Sequence, residues 1–303
     1  QLKPEYTEEY VRDEMTLRKK SFAAAWEGKF GSLEYEFVME QRKDKQITVL
    51  WENGESDIMS GSEVYRLIFE SNQPWMLTAN GTILTTEFDG VIPGLLKRWY
   101  SERKELQAKK IKAIEAGNKT EVAFWDKRQL VKKINLNSLY GAILNPGCRF
   151  FDPRIGQSTT LTGRAIVKHM SAKVNEIITG EYDHTGKAII YGDTDSCYFS
   201  AYTSLRPEIN KGEVPWDKDS IISLYDQICD EANKSFGKFM NDAFHCPKSR
   251  SNDVIAAGRE IVAVKGLFIT KKRYAALIYD NEGFRTDTEG KPGKVKAMGL
   301  DLK

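Results

Sequence analysis

Ile189-Ile190-Tyr191-Gly192-Asp193-Thr194-Asp195-Ser196-Cys197-Tyr198-Phe199 is the stretch on which the reading of this 303-residue chain turns. Two short β-prone apolar runs flank a tip with two carboxylates one residue apart, the pattern of a hairpin that presents acids at its turn. Asp and Gly are ordinary turn residues, so a solvated hairpin end is the plain alternative. The full string argues for more, because Tyr-Gly precedes the first acid, Ser follows the second, and hydrophobic strands anchor the tip. Two carboxylates held close together repel unless a cation lies between them, and hard oxygen donors of this kind suit Mg²⁺. Asp193 and Asp195 are therefore candidate metal ligands.

Working outward, a chain of this length with 41% hydrophobic residues can bury a substantial core in one large domain or two smaller ones. No apolar run approaches the roughly 20 residues that a membrane-spanning helix needs. The polar start Gln1-Leu2-Lys3-Pro4-Glu5 lacks the apolar segment of a signal peptide. The expectation is a cytoplasmic protein with no membrane contact, in the host-cell cytoplasm if viral. Cys148, Cys197, Cys229 and Cys246 form no Cys-x-x-Cys pair, which points to neither a disulfide frame nor a zinc site, and His245-Cys246 reads as structural. The formal net charge is only +2, yet basic residues crowd into 97–133 and again into Lys271-Lys272-Arg273. The absence of an initial Met, and a stop at Leu300-Asp301-Leu302-Lys303 soon after a strand-like run, read as a piece of something longer.

Taken in order, Pro4 to Glu9 reads as a helix start that passes into mixed helical sequence around Met15 to Trp26. Gln46 to Trp51 reads as a strand followed by Asn53-Gly54 turn chemistry, Ser62 to Phe69 as a helix, and Trp75 to Leu84 as a hairpin around Asn80-Gly81. From Pro93 the periodicity predicts a long helix that ends at Gly117-Asn118. A second helix runs from Thr120 to about Tyr140, and the two form an antiparallel pair. Arg149 to Pro153 reads as a loop, Gln157 to Thr179 as a supporting helix, and Asp219 to Phe244 as another. Val254 to Val264, Gly266 to Tyr279 and Val295 to Leu300 read as strands of one antiparallel sheet.

On the second helix of the pair, Lys133, Asn137, Tyr140 and Gly141 fall at i, i+4, i+7 and i+8, one stripe. A structural stripe would be apolar; this one carries a cation, an amide, a ring and bare backbone, which suits a polar partner. Lys133 suits phosphate, Tyr140 a base or sugar, and Gly141 a close backbone approach. Antiparallel packing would bring Arg103 and Lys104 opposite Lys133.

Lys133-Ile134-Asn135-Leu136-Asn137-Ser138-Leu139-Tyr140-Gly141, followed by Tyr191-Gly192-Asp193-Thr194-Asp195-Ser196, resembles motifs B and C of family B DNA polymerases. Lys271-Lys272-Arg273-Tyr274 is similar to that family's Lys-Lys-x-Tyr element. Ala79-Asn80-Gly81 with Gly90-Val91-Ile92-Pro93-Gly94-Leu95-Leu96 resembles its approach to the fingers. Order and spacing agree over roughly 75–300, with the replicative enzymes of tailed phages nearest in pattern.

The resemblance implies an α+β polymerase palm, an antiparallel sheet packed on helices, with an antiparallel two-helix fingers subdomain. Residues 1–90 would form the N-terminal part of the palm and the lead-in to the fingers, 91–145 the fingers, and 146–303 the palm with the Asp-Thr-Asp hairpin. It implies catalytic roles for Asp193, Asp195 and Lys133, and binding of the incoming dNTP by Arg103, Lys133, Asn137, Tyr140 and Gly141. Lys271, Lys272, Arg273 and Tyr274 would contact primer-template DNA. Gln107 stands where some relatives carry Lys, and Glu260 adds a carboxylate more suited to a salt bridge. Two Mg²⁺ ions are implied, held by Asp193, Asp195 and one carboxylate from motif A.

No motif A string occurs in this chain, nor an exonuclease or thumb, so the palm and fingers alone are expected to be inactive. The missing polymerase parts, in one parent chain or a separate subunit, are the implied partners, and a sliding clamp is a further one. Three alternatives stand beside this reading: half of a split polymerase, a non-catalytic DNA- or nucleotide-binding module, and a metal-dependent nuclease or other nucleotidyl transferase built on the two acids.

Overall fold

The computed structural model describes residues 44–247, 255–288 and 290–300. Helices and antiparallel strands are mixed without a parallel ladder among the described residues, an α+β arrangement. The helical start read at residues 4–26 lies outside the described residues, as does Val254.

The first described unit is a hairpin of β1 (Gln46–Leu50) and β2 (Ser56–Ser60), closed by the Asn53-Gly54 turn with Gly54 at φ +88°. It runs into α1 (Gly61–Tyr65), capped by a reciprocal box in which Ser60 accepts from the Glu63 N–H and the Glu63 carboxylate accepts from the Ser60 N–H. A π-helical turn (Arg66–Glu70) continues it. Ile47, Val49, Val64, Ile68 and Leu77 form the core of this unit. β2 was not anticipated, because its exposed Ser56, Asp57 and Ile58 show no alternation that would mark a strand. β3 (Trp75–Leu77) and β4 (Ile83–Thr85) then pair as expected around the Asn80-Gly81 turn.

α2 (Val91–Glu115) and α3 (Lys119–Ile143) form the long antiparallel pair, separated by Gly117 at φ +69° and by Asn118, whose side chain caps α3 through the Glu121 N–H. Three cross-helix contacts fix the register: Glu102 to Lys132, Arg103 to Gln129, and Lys110 to Asp126. α4 (Pro153–Thr179) starts four residues earlier than its apolar periodicity predicts. Asp152 caps the Arg154 N–H, and Pro153 takes the first helical position, where a missing N–H costs nothing. Gly180 at φ +78° ends it.

β5 (Ile189–Asp193) and β6 (Ser196–Phe199) pair as the predicted hairpin. α5 (Tyr202–Lys211), which the sequence reading left out, carries an internal Pro207 and buries no residue fully, so its period is weak. α6 (Lys218–Phe244) opens on Asp217, whose carboxylate accepts from the Asp219 and Ser220 N–H groups, and closes on His245 in the left-handed region. The His245 ring meets the Ile68 carbonyl and stacks on Phe69, which makes it structural.

The last sheet has the order β10 (Lys294–Met298), β8 (Arg273–Asn281), β7 (Ile261–Thr270), with β9 (Phe284–Arg285) on β8. The expected single antiparallel sheet is present, but its divisions differ. Gly266 lies inside β7 rather than between strands, and the turn falls at Lys271-Lys272, with Lys272 at φ +61°. Lysines gave no turn signal. Beneath β5 and β6, Val174, Ala201, Ile228 and Ala232 join α4 to α6, and Phe239, Met240, Ala243 and Phe244 form a further cluster.

Candidate functional site

The hairpin tip closes through Thr194 and Asp195, with Asp193 opposite Ser196. The Asp195 N–H donates to the Asp193 carbonyl at 2.6 Å, and Ser196 Oγ donates to the same oxygen at 3.0 Å. Thr194 sits at φ +51°, an uncommon conformation for a β-branched residue. That conformation is strained, and it is held by the ladder on both sides. The Thr194 hydroxyl donates to an Asp193 carboxylate oxygen at 3.2 Å. Asp193 is half-buried and Asp195 exposed, and neither pairs with a cationic side chain among the described residues.

The hairpin is anchored by rings. A bulge at Ile190 shifts the register so that Tyr191 lies opposite Tyr198. Tyr191, Tyr198, Phe268 of β7 and Tyr274 of β8 then form a four-ring cluster, with centroid separations from 5.4 to 6.2 Å. The Tyr198 and Tyr274 hydroxyls hydrogen-bond at 2.9 Å, and the Lys272 N–H donates to Tyr191 Oη at 2.8 Å. Burial, then the Tyr274 hydroxyl, push the Tyr198 phenol well above its ordinary range. Burial likewise raises the Cys197 thiol. The acidic tip is thus tied to the basic turn Lys271-Lys272 through neutral groups. Sequence reasoning missed this joint; the aromatic residues at 191, 198, 268 and 274 were its only signal.

Behind the hairpin, Asn175 of α4 is fully buried and fixes the approach to β5 through the Ala188 N–H and the Glu181 carbonyl. The Ala79-Asn80-Gly81 turn docks on the start of α4, where Asn80 bonds Ser158 and the Arg154 carbonyl and the Ala79 N–H donates to Thr162.

Lys133 and Asn137 are exposed, and Lys133 has no carboxylate partner among the described residues. Arg103 Nε reaches Gln129 at 3.3 Å, one turn before Lys133 on the same stripe, and Lys104 lies over Tyr100. Tyr140 bonds Thr160 of α4 through their hydroxyls, which ties the helical pair to α4, and Gly141 is exposed. Lys271, Lys272 and Arg273 are exposed, whereas Tyr274 is 4% exposed. Among the described residues Glu260 makes no ion pair; its neighbour Arg259 does, with Asp226 and with Asp280.

Asp193 and Asp195 supply hard oxygens uncompensated by Lys or Arg, which fits a divalent cation, but the described residues hold no cluster of three or more His, Cys, Asp or Glu. Two carboxylates alone would make a partial site. No helix among the described residues is long and apolar enough to cross a membrane.

A family model described as DNA polymerase family B matches residues 53–211. The matched segment includes Arg103, Lys133, Asp193 and Asp195 but stops before the Lys271 turn. The DNA-directed DNA polymerase of Escherichia phage RB69 is 28% identical over 209 residues, 63% of this chain and 22% of that protein. The DNA polymerase of Paramecium bursaria Chlorella virus NY2A is 29% identical over 220 residues, 72% of this chain and 20% of its own length. The DNA-directed DNA polymerase of Enterobacteria phage T4 is 28% identical over 194 residues, 57% and 20%. The chain therefore spans about a fifth of the length of these curated relatives.

Proposed function

The chain belongs to DNA polymerase family B, and from that premise we propose that it serves template-directed DNA synthesis, the transfer of a nucleotide from a dNTP to a primer 3′-hydroxyl. The observation that carries the reading is the strained Asp193-Thr194-Asp195 tip, whose carboxylates have no cationic side chain beside them and whose strands are tied by Tyr191 to the Lys271-Lys272 turn. In this reading α2 and α3, residues 91–145, are the fingers, and the rest of the chain contributes to a palm. Asp193 and Asp195 would hold divalent cations, Mg²⁺ by preference, together with at least one carboxylate from outside the described residues. Bound there, two such ions would neutralise phosphate charge and acidify the primer hydroxyl.

The chain's own residues do the positioning. Lys133 and Arg103 would neutralise the triphosphate, and Asn137 would hydrogen-bond beside it. Tyr140, braced by Thr160, and Gly141 would present a flat surface and open backbone to the nascent base pair. Lys271, Lys272 and Arg273 would meet the primer phosphates, while buried Tyr274 supports that turn from beneath. Primer-template DNA, dNTP and the other polymerase parts are the partners of this scheme, with a sliding clamp as a further one.

With only part of the metal site in hand, the chain alone is expected not to extend a primer. A primer-extension assay with and without a polypeptide carrying motif A, paired with Mg²⁺-dependent dNTP binding, tests the proposal. Restored extension that Asp195→Ala abolishes, and dNTP binding weakened at least tenfold by Lys133→Ala, are expected. Nucleotide binding that ignores both Mg²⁺ and Lys133→Ala would instead favour a non-catalytic binding module.

A further inference from the structure

Residues 91–143 carry twelve Lys and Arg against five Asp and Glu, a formal +7 in a chain of +2, which leaves −5 for everything else. The face with Lys133 uses only part of this charge. The cross-helix contacts divide the pair into two sides: Arg103 to Gln129 and Lys110 to Asp126 run along one, Glu102 to Lys132 and Lys109 to Trp125 along the other. Phe124 and Lys133 are nine residues apart on α3, two and a half turns, so they stand on opposite sides of that helix.

Toward the loop that joins the two helices, four residues form one patch around Phe124. Phe124 and Trp125 meet edge to face with centroids 4.8 Å apart. Lys109 Nζ lies 4.9 Å from the Trp125 centroid, and the Arg128 guanidinium 5.1 Å from the Phe124 centroid. Phe124 is 49% exposed, a large ring left in water, and neither Lys109 nor Arg128 has a carboxylate partner among the described residues. Lys112 and Lys127 add exposed charge nearby, against the exposed acids Glu105 and Glu121 one turn away.

We propose that Lys109, Phe124, Trp125 and Arg128 form a second nucleic-acid contact, a stacking platform for single-stranded DNA on the back of the helical pair. An exposed ring for a base, with cations at its flank for the neighbouring phosphates, is the chemistry by which single strands are held without sequence readout. Duplex DNA keeps its base faces inside and offers only phosphates, so it would use the cations but not Phe124. The inference is independent of the role proposed for Lys133.

The test uses the full chain and a fluorescent oligo-dT 12-mer, read by anisotropy, with a duplex of equal length as comparison. Phe124→Ala is expected to weaken single-strand binding about tenfold and duplex binding less than twofold, with Phe124→Tyr close to the parent. Lys109→Glu with Arg128→Glu should lower the slope of log affinity against log salt by more than one. A 5-iododeoxyuridine oligonucleotide should photo-cross-link within residues 120–127. Unchanged single-strand affinity in Phe124→Ala, an equal loss for duplex, or cross-links confined to other segments would each overturn the proposal. Far-UV circular dichroism of each variant checks that the helices persist.

Discussion

Replacing Asn175 with Ala tests what holds the acidic hairpin in place. The Asn175 amide nitrogen donates to the Glu181 carbonyl at 2.7 Å and to Thr179 Oγ1 at 3.0 Å, and its oxygen accepts from the Ala188 N–H at 3.0 Å. Residue 188, itself buried, immediately precedes β5. Alanine leaves that N–H without a partner, at a cost of about 1–3 kcal/mol, and loses two further hydrogen bonds worth about 1 kcal/mol each. Water can reach the carbonyl of exposed Glu181, which limits its penalty, so the total is about 3–4 kcal/mol. For a chain of this size the melting temperature should fall by roughly 10 °C, measured by calorimetry. Gly186 supplies an internal control, because a Cβ there would lie 2.1 Å from Asn175 Nδ2 and would force the amide aside. Gly186→Ala should therefore destabilise on its own, yet add less than its single effect to Asn175→Ala, where the amide is already gone. A loss below about 1 kcal/mol for Asn175→Ala, or full additivity of the pair, would refute the reasoning.

Tyr198→Phe removes a phenol whose folded state resists ionisation; that contribution is complete below about pH 10 and is lost as pH rises beyond it, so the variant should show a shallower alkaline loss of stability in pH-resolved denaturation. Gly299→Ala, at φ +59° with its Cβ 2.5 Å from the Lys272 carbonyl, should cost about 1–3 kcal/mol in urea titration and loosen the Lys271-Lys272 turn. The Arg285 hydrogen bonds, then Lys218, hold the Asp287 carboxyl well below the usual range; the stability this gives is present above about pH 4 and lost on acidification, so Asp287→Asn should flatten the acid limb of the stability profile.

Much of this structure was legible because its signals were local. The Asp-Thr-Asp hairpin, the antiparallel helical pair and the long supporting helices rest on periodicity, turn chemistry and caps within a few residues of one another, as Asn118 and Asp217 illustrate. What stayed hidden depends on partners distant in sequence. β2 exists only by pairing with β1, and the break between β7 and β8 falls at two lysines because Tyr191, 81 residues away, accepts from the Lys272 N–H. The candidate acids and the Lys133 stripe were visible as residue types in order. That Arg103 meets Gln129 follows from the exact stagger of α2 on α3, which composition does not encode.

The joint between the acidic tip and the basic turn also explains why rings occur there. An ion pair between Asp195 and Lys272 would bring the two turns together, but each charge would then be satisfied by the other and less free to meet an external ion. Neutral contacts avoid that. The Tyr198 to Tyr274 hydroxyl pair, the Tyr191 to Lys272 N–H bond and the stacked Phe268 position the turns through uncharged groups. Among the described residues, Asp193, Asp195, Lys271 and Lys272 consequently all keep their charges unpaired. In the proposed reading, carboxylates and lysines left unpaired in this way would meet a metal ion and a phosphate respectively.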